Sequence, residues 1–319
     1  MSIDRIATAQ QSQYFLSQIE NASGALNTTQ QQIASGDNST TYAGFGTQTQ
    51  VLQATMSANS RNSAYQTATS LAVTQADIQD TQLTSLSSLA TQLNSAVSTA
   101  ISTNDPSTLM SQVQSIFNQA VSVLNSQDAN GAYIYGGGND ATPPVNVNSL
   151  SQLASLPSVS SAFTNGNNLK SVQVADGQTI TYGVTASSVA SGLMQELQNI
   201  AQFDQGANGN FSGSTNLSGT QNSFLTGEMT AVTNVASNLN NATAQNGDNY
   251  SALTNAQTQQ STMATLYSGF ISNIQDTNMA QAATQLSLDQ TQLQAALQVT
   301  STLNNLTLLN YLPAATTTG

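Results

Sequence analysis

The sequence predicts a mainly α protein, with long heptad-patterned helices flanking a small α+β module in the middle. Three observations predict it. Apolar residues recur in alternating steps of four and three through both ends of the chain, the pattern of helices packed along a narrow seam. The positions between them are nearly all Gln, Asn, Ser and Thr. From 139 to 221 the rhythm stops and the chain turns rich in Gly, Asn, Ser and Pro.

In chain order, the first helix carries Phe15, Ile19, Ala22, Leu26 and, after a gap at Thr29, Ile33. A second runs through Leu86, Ala90, Leu93, Val97 and Ala100, and a third through Leu109, Val113, Ile116, Ala120 and Val123. Between these two, "STNDPST" reads as a tight joint between antiparallel helices, with Asp105 or Ser107 as cap and Pro106 suited to the first turn. Beyond the middle, the rhythm returns at Leu225, Met229, Val232, Ala236 and Leu239, then at Met263, Tyr267, Phe270 and Ile274. The last segment carries Leu286, Leu293, Leu297, Leu303, Leu306, Leu308 and Leu309. Such narrow stripes bury little apolar area against the entropy of ordering a helix, so these helices need partners.

The middle opens with "DANGAYIYGGGNDATPPV" at 128 to 145. It follows a helix rather than a strand and lacks the Lys and Ser/Thr of a phosphate loop, so it reads as a hinge. Gly136, Gly137 and Gly138 give backbone freedom, while Pro143 and Pro144 stiffen the exit. Next, "LKSVQVADGQTITYGV" alternates around Asp176-Gly177, which predicts a hairpin with a type I′ turn. A helix follows through Val189, Leu193, Leu197 and Ile200, capped by Ser187 or Ser188. Residues 205 to 222 read as a flexible return.

Composition excludes several functions. Only 6% of the 319 residues are charged, against about 25% in an ordinary globular domain, and the net charge is -12. Arg5, Arg61 and Lys170 are all the basic residues, too few to line a nucleic-acid site. No Cys or His is present, which removes thiolate and imidazole chemistry. Asp77 and Asp80 sit three apart, as exposed helix acids do. No catalytic, cofactor-binding or metal-binding residue is therefore assigned, and the chain is not expected to be an enzyme. Without an apolar leader or a run of about 18 apolar residues, neither a cleaved signal nor membrane insertion is expected.

Four motifs resemble bacterial flagellins and the related hook-filament junction protein, hook-associated protein 3. They are "LNTTQQQIASG" at 26 to 36, Arg61-Asn62, "NGAYIYGGG" at 130 to 138 and the Leu-rich "LTLLNYL" at 306 to 312. The likeness spans roughly 1 to 138 and 222 to 312. The chain departs from it at 37 to 46, "DNSTTYAGFG", where the family continues with basic residues and paired acids.

The resemblance implies a flagellin-like fold, with long antiparallel coiled-coil helices contributed by both termini. A core helix at 1–36 would pair with another at 282–319, an inner helical shell would come from 37–138 and 222–281, and 139–221 would project outward. Phe15, Ile19, Leu26, Ile33, Leu286, Leu293, Leu297, Leu303, Leu306 and Leu309 are then the expected assembly seam. The family further implies export through the flagellar type III channel, an export chaperone, an extracellular place in the flagellum, and partners that are other copies and neighbouring axial proteins. The competing expectation is a surface binding protein on a helical stalk, with Tyr135, Phe163 and Tyr182 stacking on glycan or a host ligand.

Overall fold

A computed structural model describes residues 2–309 and the side chains from 10 to 302. Seven α-helices and one hairpin make up the regular structure of the described residues. In order these are α1 (Ser2–Ser35), α2 (Thr49–Thr103), α3 (Leu109–Leu124), α4 (Leu150–Ser155), β1 (Lys170–Ala175), β2 (Gln178–Tyr182), α5 (Ala186–Gln205), α6 (Gly219–Gln275) and α7 (Met279–Leu309). The chain divides into two compact units. The terminal unit joins residues up to Ser60 with those from Ala264 on, the central unit is Arg61–Met263, and the divisions fall within α2 and α6.

The central unit is built on one large hydrophobic core, with a smaller apolar cluster beneath the hairpin. α3 shows why: Leu109, Val113, Ile116, Phe117, Ala120 and Leu124 bury one face of the helix, while its Ser and Gln residues stay outside. That face meets Leu86, Leu93 and Val97 of α2, Leu193, Leu197 and Ile200 of α5, and Leu225, Val232 and Leu239 of α6 in a single cluster. Val145, Val147, Leu150 and Leu153 join the same cluster. Residues 139 to 221 thus have no core of their own, and the change of composition at 139 does not mark a break in packing.

Local chemistry sets the ends of these helices. Between α2 and α3 the chain reverses at Asn104, whose φ is 55°, and Asp105 accepts from the Ser107 N–H at 2.9 Å. The residue before α3 is Thr108 and makes no side-chain cap, so Asp105 serves the turn and not the helix. For α5 the cap is Thr185 rather than Ser187 or Ser188; Ser188 instead closes a reciprocal capping box with it. α6 opens on a second such box, in which Ser218 N–H donates to Gln221 Oε1 at 2.8 Å and Gln221 N–H donates to Ser218 Oγ at 3.1 Å.

The antiparallel hairpin pairs Val172 with Ile180 and Ala175 with Gln178. Its turn is not type I′, because Gly177 alone takes a positive φ, 75°, and Asp176 does not. A register shift between Gln173 and Ala175 supplies the local twist instead. Val172, Val174 and Tyr182 then pack on Ala72 and Ala76 of α2 and Leu253 of α6.

The return at 205 to 222 is held, not loose. Asp204 accepts from Phe211 N–H at 2.7 Å, Asn210 takes a φ of 61°, and Phe211 is completely buried. Phe203 stacks on Phe211 at 5.5 Å and on Phe224 at 3.9 Å. Gln221 Nε2 ties the segment down by donating to Gly209 O at 2.7 Å.

Candidate functional site

The terminal unit is an antiparallel pair, with α1 lying against α7. On α1 the inward positions are Phe15, Ile19, Ala22, Leu26, Thr29 and Ile33; on α7 they are Ala282, Leu286, Asp289, Leu293, Ala296 and Thr300. Both sets keep the alternating four and three. Two helices alone shield one stripe each, so Phe15, Ile19, Leu26, Ile33, Leu286 and Leu293 are only half-buried.

The gap in the apolar pattern at Thr29 has a structural meaning. Thr29 and Asp289 are buried in the seam at 5% and 2% exposure, as is Ala282, and Thr29 Oγ1 donates to Asp289 Oδ2 at 2.7 Å. Gln285 Nε2 donates to Asp289 Oδ1 at 2.8 Å. A polar pair at one seam position satisfies itself only in one register, because a slip by a turn strands the carboxylate against apolar side chains. Sequence reasoning missed Asp289, although it stands three residues after Leu286 and four before Leu293.

Leu297 lies off this seam and is 51% exposed; Ala296 takes the inward place. Leu303, Leu306 and Leu309 lie beyond the residues whose side chains are described. Outside the seam, Tyr14, Leu16, Phe270, Leu288 and Val299 also face solvent.

The break after α1 and the break between α6 and α7 are strapped together. Gly36, with φ of 79°, ends α1 by donating its N–H to Gln32 O at 2.9 Å. Asn38 N–H then donates to Gln275 O at 2.6 Å, Thr277 N–H to Gly36 O at 2.7 Å, and Asn38 Nδ2 to Ile274 O at 3.0 Å. Asn278 caps the first turn of α7, accepting from the N–H groups of Ala280 and Gln281. Amide side chains thus do here what charged pairs do in better-charged proteins.

The three glycines form a packed cradle, which corrects their reading as a hinge. Gly136 and Gly137 are buried. Gly166 N–H donates to Gly136 O at 2.8 Å and Asn168 N–H to Gly137 O at 3.0 Å. Gly137 has a φ of 61°, and a Cβ there would lie 2.1 Å from Gly166 O. Gly138, with φ of 91°, lies against Asn168. Pro144 is buried beside this cradle's exit, whereas Pro143 is exposed.

Of the other singled-out residues, Asn62 is buried and donates to Gln260 O at 2.8 Å, and Arg61 pairs with Asp176 at 3.6 Å. Gln260 in turn donates to Thr69 Oγ1 at 2.9 Å and Val174 O at 2.7 Å, binding α2, α6 and β1 through one amide. Of the aromatics offered for glycan stacking, Tyr135 and Tyr182 are buried and Phe163 is partly buried against the core. Burial also holds the Tyr135 and Tyr182 hydroxyls above their ordinary range. Among the described residues no cluster of acids, Cys or His suits a metal ion, and no helix is long and apolar enough to cross a membrane.

Fold and seam together define a mainly α protein whose terminal helices, α1 and α7, pair antiparallel. Two solved structures share this fold. A putative flagellar hook-associated protein from Vibrio parahaemolyticus matches with a TM-score of 0.57 at 18% identity, over 72% of this chain and 97% of the other. FlgL from Bacillus cereus matches with a TM-score of 0.50 at 14% identity, over 68% of this chain and 96% of the other. No family model and no curated protein sequence matches the chain.

Proposed function

We propose that the chain is a structural subunit of the bacterial flagellum that assembles through its terminal helices, as hook-filament junction protein or as filament flagellin, and serves motility. The observation that carries this reading is the fold likeness to two flagellar proteins, each covered almost end to end. The exposed apolar residues of the terminal unit support it, since Tyr14, Phe270, Leu288 and Leu297 give neighbouring subunits a surface to cover. In this proposal other copies and adjoining axial proteins are the partners, and the chain reaches the cell exterior through the flagellar type III channel with the help of a chaperone.

Immunogold electron microscopy of flagella, with antibody raised against the full chain, tests the proposal. Label at the hook tip alone identifies a junction protein and label along the filament a flagellin; unlabelled flagella overturn both. In the same reading, Leu297→Asp leaves the single chain folded, because the side chain is half exposed, yet abolishes polymerisation by burying a charge between subunits. Normal filaments from that variant would refute the outer face. With so few charges, polymerisation is also expected to change little from low to high NaCl, which turbidity measures directly.

A further inference from the structure

Four asparagines of the chain are followed directly by glycine: Asn130, Asn165, Asn208 and Asn246. Asparagine is a thermolabile residue, and this pairing is its most labile form. Because glycine has no Cβ, its backbone nitrogen can approach the preceding side chain and attack Cγ. The fold treats the four pairs differently.

Three of them are held fast. Asn246 lies inside α6 at 1% exposure, and its Nδ2 donates to Ala76 O at 2.8 Å. Asn165 commits its whole amide to the glycine cradle and the start of α5. Its Nδ2 donates to Gly166 O at 2.8 Å and Ser187 Oγ at 2.9 Å, and its Oδ1 accepts from Ser187 N–H at 3.1 Å. Asn208 is exposed, but Gly209 after it is buried, and a Cβ there would stand 2.1 Å from Phe203 O. Gly209 O accepts from Gln221 Nε2 at 2.7 Å and Gly209 N–H donates to Gly206 O at 3.1 Å, so this peptide is clamped on both sides.

Asn130 is the exception. It and Gly131 are both exposed, and no described residue hydrogen-bonds the Asn130 side-chain amide. Gly131 has a φ of 79°, and a Cβ on it would meet open space. The attacking nitrogen is held by one bond, from Gly131 N–H to Asp128 O at 3.0 Å, in an exposed turn. Every native bond that must open first raises the barrier, and one bond of ordinary strength slows the step about tenfold.

We propose that Asn130 is a site of spontaneous deamidation, with water as the co-reactant. Gly131 N bonds to Asn130 Cγ while the Cγ–Nδ2 bond breaks; the amide proton leaves with Nδ2 as ammonia, and a five-membered succinimide remains. Water then adds to either ring carbonyl. Opening at Cγ gives aspartate, and opening at the backbone carbonyl gives isoaspartate, whose main chain runs through Cγ. No electrons are exchanged. Both products set a second carboxylate two residues from Asp128. Isoaspartate also lengthens the main chain of a turn in which Asp128 Oδ1 accepts from Asn130 N–H at 2.8 Å and Ala132 N–H at 3.0 Å.

The test is mass spectrometry of the full chain after weeks at pH 8 and 37 °C, with rapid chymotryptic digestion. Cleavage after Leu124 and Tyr133 isolates Asn130 together with Asn125, which no glycine follows. In the folded chain Asn130 is expected to become acid at least about tenfold faster than Asn165, Asn208 and Asn246. Its product is expected as two chromatographic species, aspartate and isoaspartate. In concentrated urea the four rates are expected to converge. Conversion of Asn130 no faster than that of the other three overturns the proposal, and aspartate as the sole product overturns the succinimide. A spread of rates that persists unchanged in urea overturns the role of the fold.

Discussion

In the central unit the apolar side chains of four helices meet one another, whereas in the terminal unit many of them meet water. Leu83, Leu93, Phe117 and Leu193 are buried almost completely, yet Tyr14, Phe270 and Leu288 in the other unit stand about half exposed or more. Helix propensity does not separate the two, since both are rich in Gln and Ala. The number of faces does: α3 and α5 fit between long helices that offer them several sides, while α1 and α7 shield only one stripe each. Both units also bury polar groups, but in different numbers of bonds. The Gln260 amide of the central unit reaches two partners on two elements, and Thr29 of the terminal unit makes one inter-helix bond to one aspartate.

Substitutions can push on each side of this contrast. The largest effect is expected from Gly137→Val, which places a Cβ against Gly166 O at a left-handed φ. The central unit should lose about 3 kcal/mol or more, measured by denaturant unfolding. An unchanged midpoint would mean that the cradle opens freely after all. Gln260→Ala strips a buried amide from Thr69 Oγ1 and the Val174 carbonyl, and should cost about 2 kcal/mol by the same measurement.

In the terminal unit, Thr29→Val leaves Asp289 buried with one donor fewer, at a cost of about 1–2 kcal/mol. Thr29→Leu combined with Asp289→Leu should recover that loss or exceed it, because a matched apolar pair needs no desolvated carboxylate. Loss of helix content in the double variant, followed by far-ultraviolet dichroism, would show that the polar pair contributes to stability and not only to register. Arg61→Ala is the smallest expected change, below about 0.5 kcal/mol, since its ion pair with Asp176 is solvent-exposed on both sides. A larger shift would indicate that Arg61 holds the hairpin to α2.

The heptads, the joint at 104 to 108, the hairpin at 170–182 and α5 were legible because each is written in local spacing or turn residues. The Asp289 partner of Thr29 was not, since an aspartate at a seam position looks like any surface acid until the facing helix supplies its donor. For the same reason the glycine cradle passed for a hinge: three glycines announce freedom, and only Gly166, brought back by the intervening chain, shows that the freedom is used for close packing.

Periodicity and composition alone were enough for a mainly α chain and for the joint between α2 and α3. Those properties depend on neighbours a few residues apart. Tertiary structure alone decided that residues 139 to 221 share a core with α2, α3 and α6, and that Ala296 and not Leu297 faces α1. Each of these is a meeting of side chains distant in sequence, whose energy depends on the direction of approach and on the water excluded, and neither quantity is encoded in local spacing.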